Sequence, residues 1–125
     1  IKVGASSINL DENFIAYFSN YGKINVDIFA PGVDIYSTVP NDKYKFQSGT
    51  SMASPVVSGV ASLIMSYFPK LSAKKVKEII LESGIDIDVK IGNLGGNKHF
   101  REYSKSGKLV NAYNALILAS RSKKK

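Results

Sequence analysis

The sequence predicts an α/β domain built around one buried helix, and three observations carry that reading. From Phe46 to Pro69 no residue is charged, while Lys45 and Lys70 close the two ends. Short apolar runs broken by turn residues precede this stretch. An amphipathic helical pattern over Ala73–Ser83 follows it. An uncharged stretch of that length is a core element or a membrane span. A span needs about 20 predominantly apolar residues. The apolar part here is shorter and opens with Gly, Thr, Ser and Pro, so the core reading is favoured.

The first elements read as strands and turns. Ile1–Ala5 is a short strand, Ser6–Asn13 is polar and turn-rich, and Phe14–Gly22 is a loop with aromatic anchors. Ile24, Val26, Ile28 and Phe29 mark a second strand, stopped by Pro31-Gly32. Asp34–Val39 and Lys43–Gln47 form two more, joined by a hairpin turn at Pro40-Asn41-Asp42.

The central helix comes next. Ser54, Ser58, Ser62 and Ser66 recur every four residues and form one small, weakly polar stripe. Val56, Val57, Val60, Leu63, Ile64 and Tyr67 fall at helical spacing over the rest of its surface. A helix apolar nearly all round belongs in the centre of a domain, packed closely against a sheet.

Its front end carries the chemistry. Gly49 allows a tight turn or a close backbone approach. Thr50 and Ser51 are good N-cap residues. Pro55 costs little only if the helix begins near Ser51 or Met52. A serine at that point lies beside unpaired N–H donors and the positive end of the helix dipole. That is a suitable place to stabilise an oxyanion formed when the serine attacks a carbonyl. The plainer alternative is that Thr50 or Ser51 merely caps a buried helix.

After Pro69, Ser72 is read as the cap of a helix over Ala73–Ser83. Val76, Ile79 and Ile80 face inward, with Lys74, Lys75 and Lys77 in water. Gly84 is its stop. Ile85–Ser106 reads as a long surface loop with a short strand at Asp86–Ile91, and a last helix covers Ala112–Ala119.

The 125 residues fit one domain. A content of 44% hydrophobic and 22% charged residues is that of a globular chain rather than a disordered one. With no cysteine there is neither a disulfide framework nor a thiolate metal site. The net charge is +7, and 13 of the 17 basic residues follow residue 60. A basic half raises nucleic acid or an anionic surface as partners. Aromatic residues are not interleaved with it in a stacking pattern, and Arg121 with Lys123, Lys124 and Lys125 reads as a solvated tail. Without an initiator Met or a signal segment, the chain reads as the interior of a longer gene product.

Gly49-Thr50-Ser51-Met52-Ala53-Ser54-Pro55, followed by Val-Val-Ser-Gly-Val-Ala-Ser-Leu, resembles the nucleophile segment of subtilisin-like serine proteases. Val3-Gly4-Ala5, Phe18-Ser19-Asn20-Tyr21-Gly22 and Phe29-Ala30-Pro31-Gly32-Val33 resemble that family's approach to its nucleophile. Gly107–Ala112 resembles its closing segment. The resemblance covers nearly the whole chain and is weakest across Ile85–Ser106.

The resemblance implies that residues 1–125 form the C-terminal portion of a subtilisin-like catalytic domain, a three-layer α/β/α fold with a mainly parallel sheet. Ser51 would be the acyl-transfer nucleophile and its N–H an oxyanion donor, supported by Gly49 and Thr50. Met52 would lie against it, where oxidation impairs related enzymes. The family's chain order is Asp, His, Ser. The general base, its orienting carboxylate and the asparagine that completes the oxyanion hole are therefore expected upstream of Ile1, and the chain alone is expected to be inactive.

His99, the only histidine, follows Ser51 and so has the wrong order. It reads as a surface histidine, and Asp27 and Asp34 as strand-end or turn residues. Val56 stands where many members have a histidine outside the triad. No cofactor is implied. Calcium is common in relatives, but no acidic cluster here has ligand spacing. The expected partners are a peptide or protein substrate and the N-terminal part of the domain. Secretion or a cell-envelope location follows from the family alone. Two alternatives are a non-catalytic scaffold and a self-associating module, the latter through open sheet edges near Ile1–Ala5 or Asp27–Ala30.

Overall fold

Two short parallel strands, β1 (Val3–Ser6) and β2 (Ile28–Pro31), form the middle of the computed structural model, which describes residues 1–122. Side chains alternate across a strand. Ile28 and Ala30 therefore face one core and Phe29 the other. β2 is narrower than the pattern from Ile24 implied, since Ile24 stands in solvent at 87% exposure. Pro31 ends the strand from inside it. On its far side β2 meets the segment before the last helix. Phe29 N–H donates to the Lys108 carbonyl (3.1 Å) and Val110 N–H to the Phe29 carbonyl (2.9 Å). Asp27–Ala30 is thus no sheet edge. The outer side of β1 is partly closed, because Ala5 N–H donates to Ser19 Oγ and Ala5 O accepts from Ala16 N–H. An open recess of about 500 Å³ remains beside Val3.

Three helices cover the first face: α1 (Thr50–Tyr67), α2 (Ala73–Ser83) and α3 (Ala112–Ser122). α1 turns Ala53, Val57, Val60 and Ile64 inward, at spacings of four and three residues. It is not buried all round. Leu63, Met65, Tyr67 and the whole serine stripe are exposed. The absence of charge was read as burial on every side, whereas α1 has neighbours on one side only among the described residues. α2 matches its pattern, with the Ser72 hydroxyl accepting from Lys75 N–H at 3.2 Å. α3 runs through Ser122, past Ala119. Arg121 is therefore a helix residue rather than part of a tail, and Lys123–Lys125 lie outside the described residues.

The second face is closed by loops rather than helices. Phe14, Phe29 and Phe100 meet there edge-on or tilted, with ring centroids 5.0 and 5.2 Å apart. Ile15, Val26, Ile91 and Tyr103 complete this core. Ile85–Ser106 is thus a core-building segment rather than a surface loop. It forms the small hairpin β5 (Lys90–Ile91) and β6 (Lys98–His99), and the 3₁₀ turn Phe100–Glu102. Burial alternates along it, with Ile85, Ile87, Val89 and Ile91 turned inward.

Asp27 stands immediately before β2, the strand-end position expected of it, and is in addition a buried anchor. Its Oδ2 accepts from Lys2 N–H (2.9 Å) and lies 3.1 Å from Lys77 Nζ, so Lys77 does not simply point into water. Burial pushes the carboxyl up, but the Lys2 hydrogen bond and the Lys77 ammonium together hold it below its ordinary value. A carboxyl depressed on folding stabilises the fold above its unfolded pKa of about 3.9, and loses that contribution as pH falls through the folded value. The urea midpoint should therefore fall further between pH 6 and pH 2.5 in the wild type than in Asp27→Asn. Equal falls would contradict this role.

Candidate active site

The turn that presents Ser51 is tied to the end of β2. Gly49 N–H donates to the Gly32 carbonyl (2.8 Å), and Gly32 N–H to the Ser6 carbonyl (3.0 Å). A Cβ on Gly32 would stand 2.7 Å from the Ala5 Cβ, 2.8 Å from the Gly49 carbonyl oxygen and 3.1 Å from the Ala53 Cβ. Gly49 itself is extended, with φ 164°, and a Cβ there would meet nothing closer than the Met52 sulfur at 3.4 Å. The close approach expected of Gly49 therefore belongs to Gly32. Forcing a methyl into such a contact typically costs about 1–3 kcal/mol. Gly32→Ala should lower the unfolding free energy by that amount, and an unchanged midpoint in urea denaturation would contradict it.

Helix α1 starts one residue earlier than Ser51, and its N-cap is Gly49 without a side-chain cap. Neither the Thr50 nor the Ser51 hydroxyl caps the helix, so the plainer capping alternative does not describe this site. Met52 and Ala53 N–H groups share the Gly49 carbonyl, at 3.0 and 3.3 Å. The Thr50 and Ser51 N–H groups have no acceptor among the described residues. The first turn carries no acid to offset the positive end of the dipole. Ser51 is exposed, and its Oγ makes no hydrogen bond there. Pro55 lies inside the helix and cannot donate to the Ser51 carbonyl.

A cleft of about 340 Å³ opens beside this turn. One wall is α1, through Ser51, Met52, Pro55 and Val56. The other is the antiparallel hairpin β3 (Ile35–Val39) and β4 (Lys43–Gln47). Its turn places Asn41 and Asp42 at positive φ, a conformation that Asn and Asp tolerate better than most residues. Cross-strand pairing sets Ile35 opposite Gln47 and Ser37 opposite Lys45, which puts these four on one face. All four line the cleft together with Val39, and Tyr36 and Thr38, whose side chains alternate to the other face, also border it. Tyr36, Tyr44 and Phe46 occupy the opposite face and pack on one another, Tyr36 lying 5.6 Å from Tyr44 and 4.8 Å from Phe46. These cleft residues were not foreseen as site residues. The alternation of the two strands was the available signal.

No histidine or carboxylate lines the cleft among the described residues. His99 lines a separate recess with Asp86, Asp88 and Arg101. It is not a free surface histidine. Its Nδ1 accepts from Arg101 Nε (3.2 Å), which leaves Nε2 to donate to Asp88 Oδ1 at 2.7 Å. That bond and the neighbouring positive charge hold the exposed Asp88 carboxyl below its ordinary value. Asp34 sits in the turn before β3 at φ 53°, its N–H donating to Ser48 Oγ. Among the described residues no three acidic, histidine or cysteine side chains gather into a metal-binding group, and no helix is long and apolar enough to cross a membrane.

Ser51 thus stands exposed beside unpaired helix N-terminal N–H groups, next to a cleft. The model of the subtilase family, Peptidase S8, matches residues 1–112. The chain belongs to the subtilase family. Subtilisin DY of Bacillus licheniformis is 47% identical over 77 residues, which is 62% of this chain and 27% of that protein. Subtilisin-like protease 2 of Plasmodium falciparum is 44% identical over 89 residues, 66% of this chain and 6% of that protein. The A-subunit of the AB5 toxin from E. coli superposes with a TM-score of 0.68 at 31% identity, covering 81% of this chain and 29% of that one. The CspB protease of Clostridium perfringens shares the fold, with a TM-score of 0.73 at 24% identity, over 94% of this chain and 26% of its own. This subtilase chain thus spans less than a third of each relative named here.

Proposed function

We propose that this chain supplies the nucleophile of a serine endopeptidase, with Ser51 forming the acyl-enzyme. The observation that carries the reading is the exposed, unbonded Ser51 hydroxyl beside the unpaired Thr50 and Ser51 N–H groups at the mouth of the cleft. Ser51 Oγ attacks the scissile carbonyl, its proton passing to a histidine base. Charge develops on the carbonyl oxygen, where the Ser51 N–H and the helix N-terminus stabilise it. Gly49 and Thr50 shape the turn, and Met52 packs beside the nucleophile. The histidine then gives its proton to the leaving amine as the scissile C–N bond breaks, and the acyl-enzyme so formed is hydrolysed by water with the same histidine as base.

The histidine, its orienting aspartate and the oxyanion asparagine come, in this reading, from an upstream part of the gene product, in the family's order. A serine without its base is a weak nucleophile, so the chain alone is inactive. The exposed apolar residues of α1, Leu63 and Tyr67 on one flank and Met65 on the other, support packing against that upstream part and self-association of the isolated chain. Calcium binding and export rest on the family alone. The test is rapid mixing of the gene product with an activated ester. A burst of one product equivalent, with the acyl mass on Ser51, is expected; acylation elsewhere, or none, would overturn the reading and favour a non-catalytic scaffold.

A further inference from the structure

We propose that Lys45 makes the cleft beside Ser51 selective for an acidic side chain of the substrate. This rests on the reading of Ser51 as nucleophile, which makes the cleft a substrate subsite. Lys45 is the one charged residue among those that line it. It has no acidic partner among the described residues, unlike Lys75 and Lys77, so its ammonium is available. Register sets it opposite Ser37, on the hairpin face that looks toward α1 rather than on the aromatic face.

The rest of the cleft adds to the same preference. The positive end of α1 stands at its other wall, with two unpaired N–H groups and no acid in the first turn. Ile35, Val39 and Pro55 give apolar surface for the methylenes of a side chain whose carboxylate reaches the ammonium, and Gln47 and Ser37 offer neutral hydrogen bonds beside it. A carboxylate entering there meets positive potential from both walls. A lysine or arginine meets repulsion, and a glutamine of the same shape lacks the charge-assisted bond. Lys45 is therefore a specificity residue.

The experiment titrates the isotope-labelled gene product that carries this chain, with Ser51→Ala in every sample so that no peptide is cut, by NMR with an acetylated, amidated alanine tetrapeptide carrying one glutamate, against the same peptide carrying glutamine. Binding about five- to tenfold tighter for the glutamate peptide is expected, as for an exposed to half-shielded charged pair. Shifts should be confined to the hairpin and the first turns of α1. Lys45→Gln should make the two peptides equal, and Lys45→Glu should favour a lysine peptide. Equal affinities with Lys45 in place, or a preference that survives in Lys45→Gln, would overturn the proposal. Fluorophosphonate labelling of the unsubstituted gene product reports on Ser51 separately. Preference without labelling overturns the protease reading and supports the acidic subsite; labelling without preference overturns the subsite alone.

Discussion

Ser51→Ala in the gene product that carries this chain should lower kcat about a millionfold while leaving KM within a few-fold. That is the size known for a subtilisin whose nucleophile is removed. The substitution deletes an exposed hydroxyl with no partner among the described residues, so the fold has nothing to lose with it. The unfolding midpoint should therefore stay put, which separates loss of chemistry from loss of structure. Residual activity above one hundredth of the wild type would show that another group attacks the carbonyl.

Phe100→Ala should destabilise the chain by about 3–5 kcal/mol, the usual cost of deleting a large buried aromatic ring. Phe100 is fully buried and packs against both Phe14 and Phe29. Phe29 in turn covers Gly4, where an added Cβ would collide with the ring. Removing Phe100 therefore loosens the side of β2 opposite the helices. A loss under 1 kcal/mol by urea unfolding would mean that the second core is not a stabilising unit.

That second core was the part least legible in the sequence. The glycines and polar residues between Gly92 and Asn97 dominate the composition of their region, and they hid two signals. Ile85, Ile87, Val89 and Ile91 alternate as a half-buried strand does, and Phe100 and Tyr103 sit three apart, as one face of a turn requires. The hairpin, by contrast, was read to within one residue, because turn residues and strand residues agreed there; only Asp34, which lies in the turn before β3, was counted into the strand. So was α2, where the Ser72 cap and the period of Val76, Ile79 and Ile80 pointed the same way.

At the site, Ser51, Thr50 and Met52 were singled out from the local motif alone. The misplaced role of Gly49 has a physical cause. Close approach depends on what lies opposite, and the glycine that needs to be bare is Gly32, seventeen positions earlier and brought there by β2. The same limit explains α1. An uncharged surface announces that something can cover it, but which side is covered depends on neighbours that no local pattern encodes.

The most direct measurement of the central claim is fluorophosphonate labelling, mapped by mass spectrometry, on this chain and on the gene product that carries it. Ser51 labelled in the gene product and unlabelled in the chain alone is the expected result, since the base comes from outside these residues. Equal labelling of Ser51 in the isolated chain would contradict the account, because the nucleophile would then be activated by groups already present here.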